Sequence, residues 1–462
     1  MQRRTFLQTG AAALAPWFVN ASQSFAAGDE AKNAAQPRPK IAAVFSELRF
    51  RSHAYNILEN FYAPYLFRGD LVDPGCDVVS WYVDQYPADD MAREASAKLK
   101  TPIFRTIDEA LCVGGNELAV DGVLMIGEHG NYLINEAGVR EYPRKLWWDQ
   151  CLRTMRRSSR FVPLFNDKHF SYRFDWAKEM VDEARAVGMP LMGGSSVPLA
   201  ERKPALELAS DAVIEEAISI HGGGFESYDF HAFDVLQSFV EGRSNTKSGV
   251  ASVEFFDGDA ARAAAAAGRW SAELFTATMN VERIVPVTRQ TRPPLGTRPQ
   301  QIREEKEKVA PDDLSQIKHA VAVTYRDGLK ATILAVGSSS NRWHFGCKLQ
   351  GEAKPRVTTM YNGPWGNRGL FKGLSHAVQR FYIERREPWP AERTLLTTGL
   401  TAAAVRAKLA PGKALETPEL AISYSSNDWS ALRENGATWK QITLDTEQPK
   451  TFDPGDAKLL KR

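Results

Sequence analysis

This sequence has little of what usually declares a protein's class. Only four cysteines occur in 462 residues, Cys76, Cys112, Cys151 and Cys347, and none stands in a CxxC pair. That spacing argues against a zinc knuckle, a thioredoxin-type motif or a disulfide-dense scaffold, and it does not choose among the possible cysteine pairings. No run past the N-terminus approaches the roughly 18 apolar residues of a membrane span. Neither charge dominates: 58 Lys and Arg against 56 Asp and Glu leave a net +2, which gives no global pull toward nucleic acid or an anionic membrane. The G-x-S-x-G elbow of a serine hydrolase is missing; Ser195 and Ser196 follow two glycines in "GGSS" and read as a domain junction. The turn after the first apolar strand, "SELRFRS" at 46–52, contains no glycine, although a dinucleotide-binding turn there is glycine-rich.

What is present is ordinary globular composition, 43% hydrophobic and 25% charged, in a chain long enough for two domains. The N-terminus reads "MQRRTFLQTGAAALAPWFVNASQSFAAGD". Arg3-Arg4, a short apolar stretch and a small-residue site at Ser24-Phe25-Ala26 predict a twin-arginine signal peptide over 1–26 and a periplasmic or extracytoplasmic location. Cleavage after Ala26 removes two arginines and no acid, taking the net charge from +2 to zero. Residues 27–39 read as a polar linker. A nicotinamide used outside the cytoplasm has to be held tightly, because it cannot be drawn from a soluble pool.

From residue 40 the pattern alternates. Strands are expected at 41–45, 77–83, 101–104, 120–126, 160–165 and 189–194, with helices at 54–65, 89–99, 106–111 (capped by Thr106), 142–158 and 175–188 between them. Alternation of this kind predicts a Rossmann-like, doubly wound parallel sheet over 40–195. After residue 195 come a strand at 212–220, a helix at 228–240 and period-two runs at 248–256, 319–328, 329–337, 342–350 and 356–363. These predict an α+β domain over 196–462, with a largely antiparallel open sheet and helices on one face. A C-terminal helix at 370–390 is expected to pack back near the domain interface. The charge-dense stretch 299–316 reads as a solvated helix or arm.

Three stretches resemble the glucose–fructose oxidoreductase / inositol dehydrogenase family, Gfo/Idh/MocA. Residues 78–132 resemble its second strand and helix followed by an Asp-x-Val passage, here Asp121-Gly122-Val123. "FVPLFNDKHFSY" stands where the family has Glu-Lys-Pro, here Asp167-Lys168-His169, with the lysine kept and the proline replaced. "GGGFESYDFHAFDVLQSFVEG" resembles its Gly-Gly-Gly … His-x-x-Asp helix, with His231 and Asp234 matching and Ser227 where an aspartate often stands. The resemblance covers residues 40–240 as motifs and the remainder in outline. It implies a sugar-, sugar-derivative- or cyclitol-directed oxidoreductase with NAD(P), no nucleic-acid partner, and a homo-oligomer.

Open α/β sheets bind ligands beyond the carboxyl ends of their strands. Those ends carry Ser46, Glu47, Arg49 and His53, then Asp84, then Glu128 and His129, then Asp167, Lys168 and His169, with His231 expected from the next domain. Four of the eight histidines thus map to one crevice. His231 is the candidate general acid/base, since imidazole titrates near neutral pH, and Asp234, one helical turn on, is the candidate for orienting its ring. The resemblance implies that Lys168 holds a sugar hydroxyl or tunes the base; position at the strand ends makes Ser46, Arg49, Asp84, Glu128 and His129 the candidates for contacting the cofactor, and His53, Asp167, His169, Tyr132 and Tyr172 those for lining the substrate site. Side chains at every turn position oppose a pyrophosphate and Glu47 adds like charge, which Arg49 and Arg51 offset in part. Asp84 holds a ribose hydroxyl or is a turn residue. Two alternatives therefore stay open: a non-redox lyase or hydrolase of sugar derivatives, possible with a divalent metal on the same histidines and carboxylates, and a non-catalytic sugar-binding protein. His221, His344 and His376 are expected to be structural.

Overall fold

The computed structural model describes residues 37–243, 249–286, 288–291, 302–304 and 309–461. The twin-arginine segment, most of the linker and residues 299–301 and 305–308 of the charge-dense stretch lie outside the described residues; within that stretch, Ile302–Glu304 is not helical but pairs antiparallel with Arg289–Thr291.

Six strands, β1 (Lys40–Phe45), β2 (Asp77–Val83), β3 (Ile103–Phe104), β4 (Gly122–Ile126), β5 (Leu164–Asp167) and β6 (Leu191–Gly194), form one sheet in the order β3-β2-β1-β4-β5-β6. Every pairing is parallel. Ile41–Phe45 and all of β4 are buried, as strands covered on both faces must be. Five helices alternate with the strands: α1 (His53–Leu58), α2 (Ala92–Leu99), α3 (Ile107–Leu111), α4 (Arg144–Arg157) and α5 (Phe174–Ala186). Thr106 caps α3 in a reciprocal box with Glu109, which satisfies two otherwise orphaned amides. The strand order reverses between β1 and β4, the position at which such a sheet opens a ligand crevice.

The helix expected at 54–65 ends at Leu58. Pro64 lacks an N–H and drives the preceding residue out of the helical region. Tyr65–Phe67 instead pairs with Asp70–Val72 in a hairpin turned by Arg68 and Gly69, whose φ values are 52° and 90°.

The second sheet contains β7 (Glu201–Lys203), β8 (Ile214–His221), β9 (Val250–Asp257), β10 (Ile317–Tyr325), β11 (Lys330–Val336), β12 (Trp343–Leu349), β13 (Arg356–Tyr361) and β14 (Leu415–Glu416), in the order β14-β9-β10-β11-β8-β12-β13-β7. Only β8 and β11 pair in parallel; the other neighbours are antiparallel. Helices cover both faces rather than the expected one. Helix α6 (Ser227–Val240) packs on one face, against Ala217, Ile333 and Phe345. Helices α7 (Gly258–Ala266) and α8 (Ala272–Met279) pack on the other, against Ile218, Ile220, Leu334 and Val336. The alternation of Ala217 and Ile218 between two cores is the period-two signature of a strand buried on both sides.

Two C-terminal helices tie the halves together. Helix α9 (Asn367–Glu384) packs on α1 and the first sheet, and α10 (Ala391–Ala407) packs on α5 and α6. The Tyr382 hydroxyl donates to the Val123 carbonyl at 2.7 Å. A Cβ on Gly122 would sit 2.6 Å from the Tyr382 ring, so the glycine of Asp121-Gly122-Val123 is explained by this close approach. All four cysteines are buried, unpaired thiols.

Candidate functional site

Buried charge concentrates beyond the carboxyl ends of β1, β4 and β5. Lys168 follows β5, and its Nζ donates to Glu128 Oε1 at 2.7 Å. Arg144, the first residue of α4, donates from Nη2 to Glu128 Oε2 at 2.8 Å, and its Nη1 lies 3.2 Å from His169 Nδ1. All four side chains are buried. Burial alone would raise the Glu128 carboxyl; Lys168, His53 and Arg144 outweigh it and hold the group well below the usual range. Burial likewise works against charge on Lys168, and Glu128 overcomes it and raises the amine. The pair is ionised at neutral pH, with one carboxylate serving two cations.

Histidines surround this cluster. His53 Nδ1 lies 2.6 Å from Asp167 Oδ2. Its backbone N–H donates to His129 Nδ1 at 3.4 Å, and the two rings stand 5.1 Å apart. Burial above all pushes His129 down to about 3. From the second domain, His231 on α6 places Nδ1 2.5 Å from Ser195 Oγ. Burial, then Lys168, holds its imidazole well below the usual value. His169 lies 3.2 Å from Glu226 Oε1. Lys168, Glu128, His53, Asp167, His169, His129 and His231 thus meet in one crevice.

The backbone around the crevice is strained. Arg51, His129, Lys168 and Glu226 have φ values of 62°, 68°, 66° and 68°, a region that costs a side-chain-bearing residue about 1–3 kcal/mol. Asn166 supports the Lys168 turn by donating to the Asp167 and His169 carbonyls at 3.2 and 2.9 Å. Lys168 and Gly194 exchange backbone hydrogen bonds across β5 and β6. Outliers held by such local bonds are a mark of functional sites.

Several expected roles do not match the geometry. Asp234 does not orient the His231 ring: its carboxylate accepts from the Ser195 amide at 2.8 Å and from Arg393 Nη1 at 2.7 Å, leaving Ser195 to hold the ring. Ser195, read as a junction residue, is therefore part of the site. Asp84 is occupied on both oxygens, by the Tyr82 hydroxyl at 2.8 Å and the Tyr132 hydroxyl at 2.7 Å. Tyr132 thereby covers Asp84 rather than a substrate. Tyr172 lies farther out, edge-on to Trp176 at 5.4 Å, and borders a small hollow beside His169 and Glu226. Arg144 had no sequence signal, because a buried arginine beside Trp147 and Trp148 reads like any other helical arginine.

A dinucleotide in the usual Rossmann pose does not fit the β1–α1 turn. The Ser46 hydroxyl donates to the Glu128 carbonyl at 2.5 Å, Glu47 pairs with Arg49, and Leu48 is fully buried where the backbone should approach phosphate. Ser52 caps α1 by accepting the Tyr55 amide. Arg51 points away from the crevice, bonding Gln448 and the Pro449 carbonyl in the C-terminal segment. Gln85 and Asn131 bond each other reciprocally beside Asp84. The polar side chains at this turn and at Asp84 already have partners within the chain.

A divalent metal has no better home. Among the described residues, metal-like spacing occurs at His221, Asp229 and His319, away from the expected crevice histidines. The Gly223 N–H donates to His221 Nδ1 at 3.2 Å, so Nε2 carries the ring proton and faces Asp229 Oδ1, also at 3.2 Å. His319 Nε2 lies 2.8 Å from the same oxygen. A metal on His221 Nε2 would require the proton on Nδ1, against that amide. His344 bonds Glu282 and Thr359, and His376 stacks on Phe67 and bonds Tyr65, so both have structural partners.

Fold and site together define a two-domain α/β protein of Rossmann type, with a polar, acid–base-rich crevice at the topological switch point. No protein-family model matches the sequence, and no curated protein matches it. Among solved structures, GenD2 from gentamicin A biosynthesis, in complex with NAD, is 10% identical over 82% of this chain and 96% of its own, with a TM-score of 0.49. The myo-inositol dehydrogenase from Lactobacillus casei, in complex with NAD(H) and myo-inositol, is 12% identical over 85% and 99%, with a TM-score of 0.48. A probable dehydrogenase from Thermotoga maritima is 10% identical over 82% and 99%, at 0.47. Likeness at this level describes similar chain paths and assigns no activity to this chain.

Proposed function

We propose that this chain is an exported enzyme on a Gfo/Idh/MocA-type scaffold that performs acid–base chemistry on a sugar, sugar derivative or cyclitol without a nicotinamide, as a lyase or hydrolase. The observation that carries this reading is the Lys168–Glu128–Arg144 cluster, ringed by His53–Asp167, His169 and His231 and set on strained backbone. Ionised groups concentrated at a switch-point crevice suit a polyhydroxylated substrate, whose hydroxyls take hydrogen bonds from Lys168 and the imidazoles. Proton transfer at such a site needs a base and a cation or N–H aimed at the oxygen that gains charge. Lys168 supplies the cation and the histidines supply the rest.

A second reading, an oxidoreductase with tightly held NAD(P), is favoured by one observation: Lys168 and His231, the pair the resemblance assigns to a sugar hydroxyl, lie together in the crevice. Against it stands the β1–α1 turn, whose groups are satisfied within the chain.

One experiment separates them. Mature protein purified from the periplasm is denatured and the supernatant analysed by mass spectrometry for NAD(H) and NADP(H), with metal analysis on the same sample. Binding of added NAD⁺ and NADP⁺ is then followed by calorimetry. The expected result is no bound nucleotide and none taken up. A stoichiometric nicotinamide overturns the non-redox assignment and establishes the second reading.

A further inference from the structure

The four crevice histidines are not equivalent, and hydrogen-bond accounting separates them. A carboxylate only accepts, so His53 Nδ1, 2.6 Å from Asp167 Oδ2, carries the ring proton. In the neutral ring Nε2 then carries the lone pair, on a side chain 14% exposed, and it takes no hydrogen bond among the described residues. His231 is set the opposite way. Ser195 is buried, its Oγ already accepts the Val197 amide at 3.0 Å, and a buried hydroxyl needs an acceptor for its proton. Among the described residues, the acceptor in reach is His231 Nδ1 at 2.5 Å. With Nδ1 accepting, the neutral ring carries its proton on Nε2. His129 follows His231, because its Nδ1 accepts the His53 amide. His169 differs again, with Nδ1 2.9 Å from the Ser171 carbonyl and Nε2 on Glu226, so neither nitrogen is free.

The geometry points to a division of labour: His53, positioned by Asp167, is the proton acceptor, and His231, positioned by Ser195, is a neutral hydrogen-bond donor that never gives its proton away. This deepens the proposed function and rests on it. In the step, a substrate O–H bond breaks and its proton moves to His53 Nε2, making an imidazolium beside the Asp167 carboxylate. The electron pair stays on the substrate oxygen, where His231 Nε2–H and Lys168 Nζ stabilise it. His231 is therefore not the general acid/base that its position one turn before Asp234 suggests. Lys168 and burial also disfavour its charged form. The acceptor is the first residue of α1, directly after the glycine-free β1–α1 turn.

The test is made on the ligand-free mature protein, so its outcome is independent of the nucleotide and substrate experiments. Protein labelled with ¹⁵N-histidine is examined at pH 8 by two-bond ¹H–¹⁵N spectra, each ring being assigned by its His→Gln variant. The expected pattern is His53 protonated on Nδ1 and His231 on Nε2. Ser195→Ala should turn His231 into a tautomer mixture while leaving His53 alone, and Asp167→Asn should do the reverse; Ser195→Thr should restore the His231 signature. Diethyl pyrocarbonate, which acylates an unprotonated imidazole nitrogen, should modify His53 at least about tenfold faster than His231, since only His53 presents a free lone pair. Ser195→Ala should narrow that ratio. His53 protonated on Nε2, His231 protonated on Nδ1, or a ratio that Ser195→Ala leaves unchanged overturns the inference.

Discussion

Replacing Glu128 by Gln tests whether the crevice is held together by desolvated charge. In the wild type, one carboxylate accepts from Lys168 at 2.7 Å and from Arg144 at 2.8 Å, and all three groups are buried. Glutamine keeps one acceptor oxygen and turns an NH₂ toward the other cation, leaving both buried cations without this counterion. Removing one partner of a buried pair costs about 3–5 kcal/mol, and with two dependent cations the upper part of that range, about 4–5 kcal/mol, is expected. Removing one cation together with the carboxylate, in the double variant Glu128→Gln/Lys168→Met, should recover part of this loss.

The pH dependence carries a sign. The folded Glu128 carboxyl lies below its ordinary value, so its contribution is present above about 4.3, the unfolded glutamate value, and is lost as pH falls from there toward the folded value. The gap between wild type and Glu128→Gln should therefore be flat near neutral pH and close below about pH 4. Urea unfolding of both proteins at several pH values measures it. A loss under about 1 kcal/mol, the range of exposed pairs, would show that water reaches Lys168 and Arg144 and that the cluster is not held by desolvated charge.

Two further outcomes are expected. A Cβ at Gly122 would lie 2.6 Å from the fully buried Tyr382 ring, whereas one at Gly224 meets nothing within 4 Å. Gly122→Ala should therefore cost about 1–3 kcal/mol by overpacking and Gly224→Ala close to nothing; equal effects in thermal unfolding would refute the account of that glycine. Replacing Arg3-Arg4 by a lysine pair should keep the chain in the cytoplasmic fraction, and undiminished appearance in the periplasm would refute the twin-arginine proposal.

The alternating half was legible because each element carries its own local cause. Ile41–Phe45 and Asp77–Val83 are apolar runs of strand length, and the capping box at Thr106 is a four-residue signal. Periodicity likewise found the period-two strands of the second sheet, although it missed that helices cover both faces. The hairpin at 65–72 went unseen because three-residue strands have too little period to register.

The crevice was legible in outline for one physical reason: in a parallel sheet the carboxyl ends of the strands face one side, so Glu128, Asp167, Lys168 and His53 had to converge. Their partners were not, because hydrogen bonds between residues distant in sequence leave no local trace. Only the folded chain shows that Tyr132 closes on Asp84, that Arg144 shares Glu128 with Lys168, and that Asp234 faces Arg393 while Ser195 takes the His231 ring. The sequence by itself determined which residues stand at the strand ends. Tertiary structure decided which nitrogen of each imidazole is free, because that depends on the one neighbour within hydrogen-bond reach.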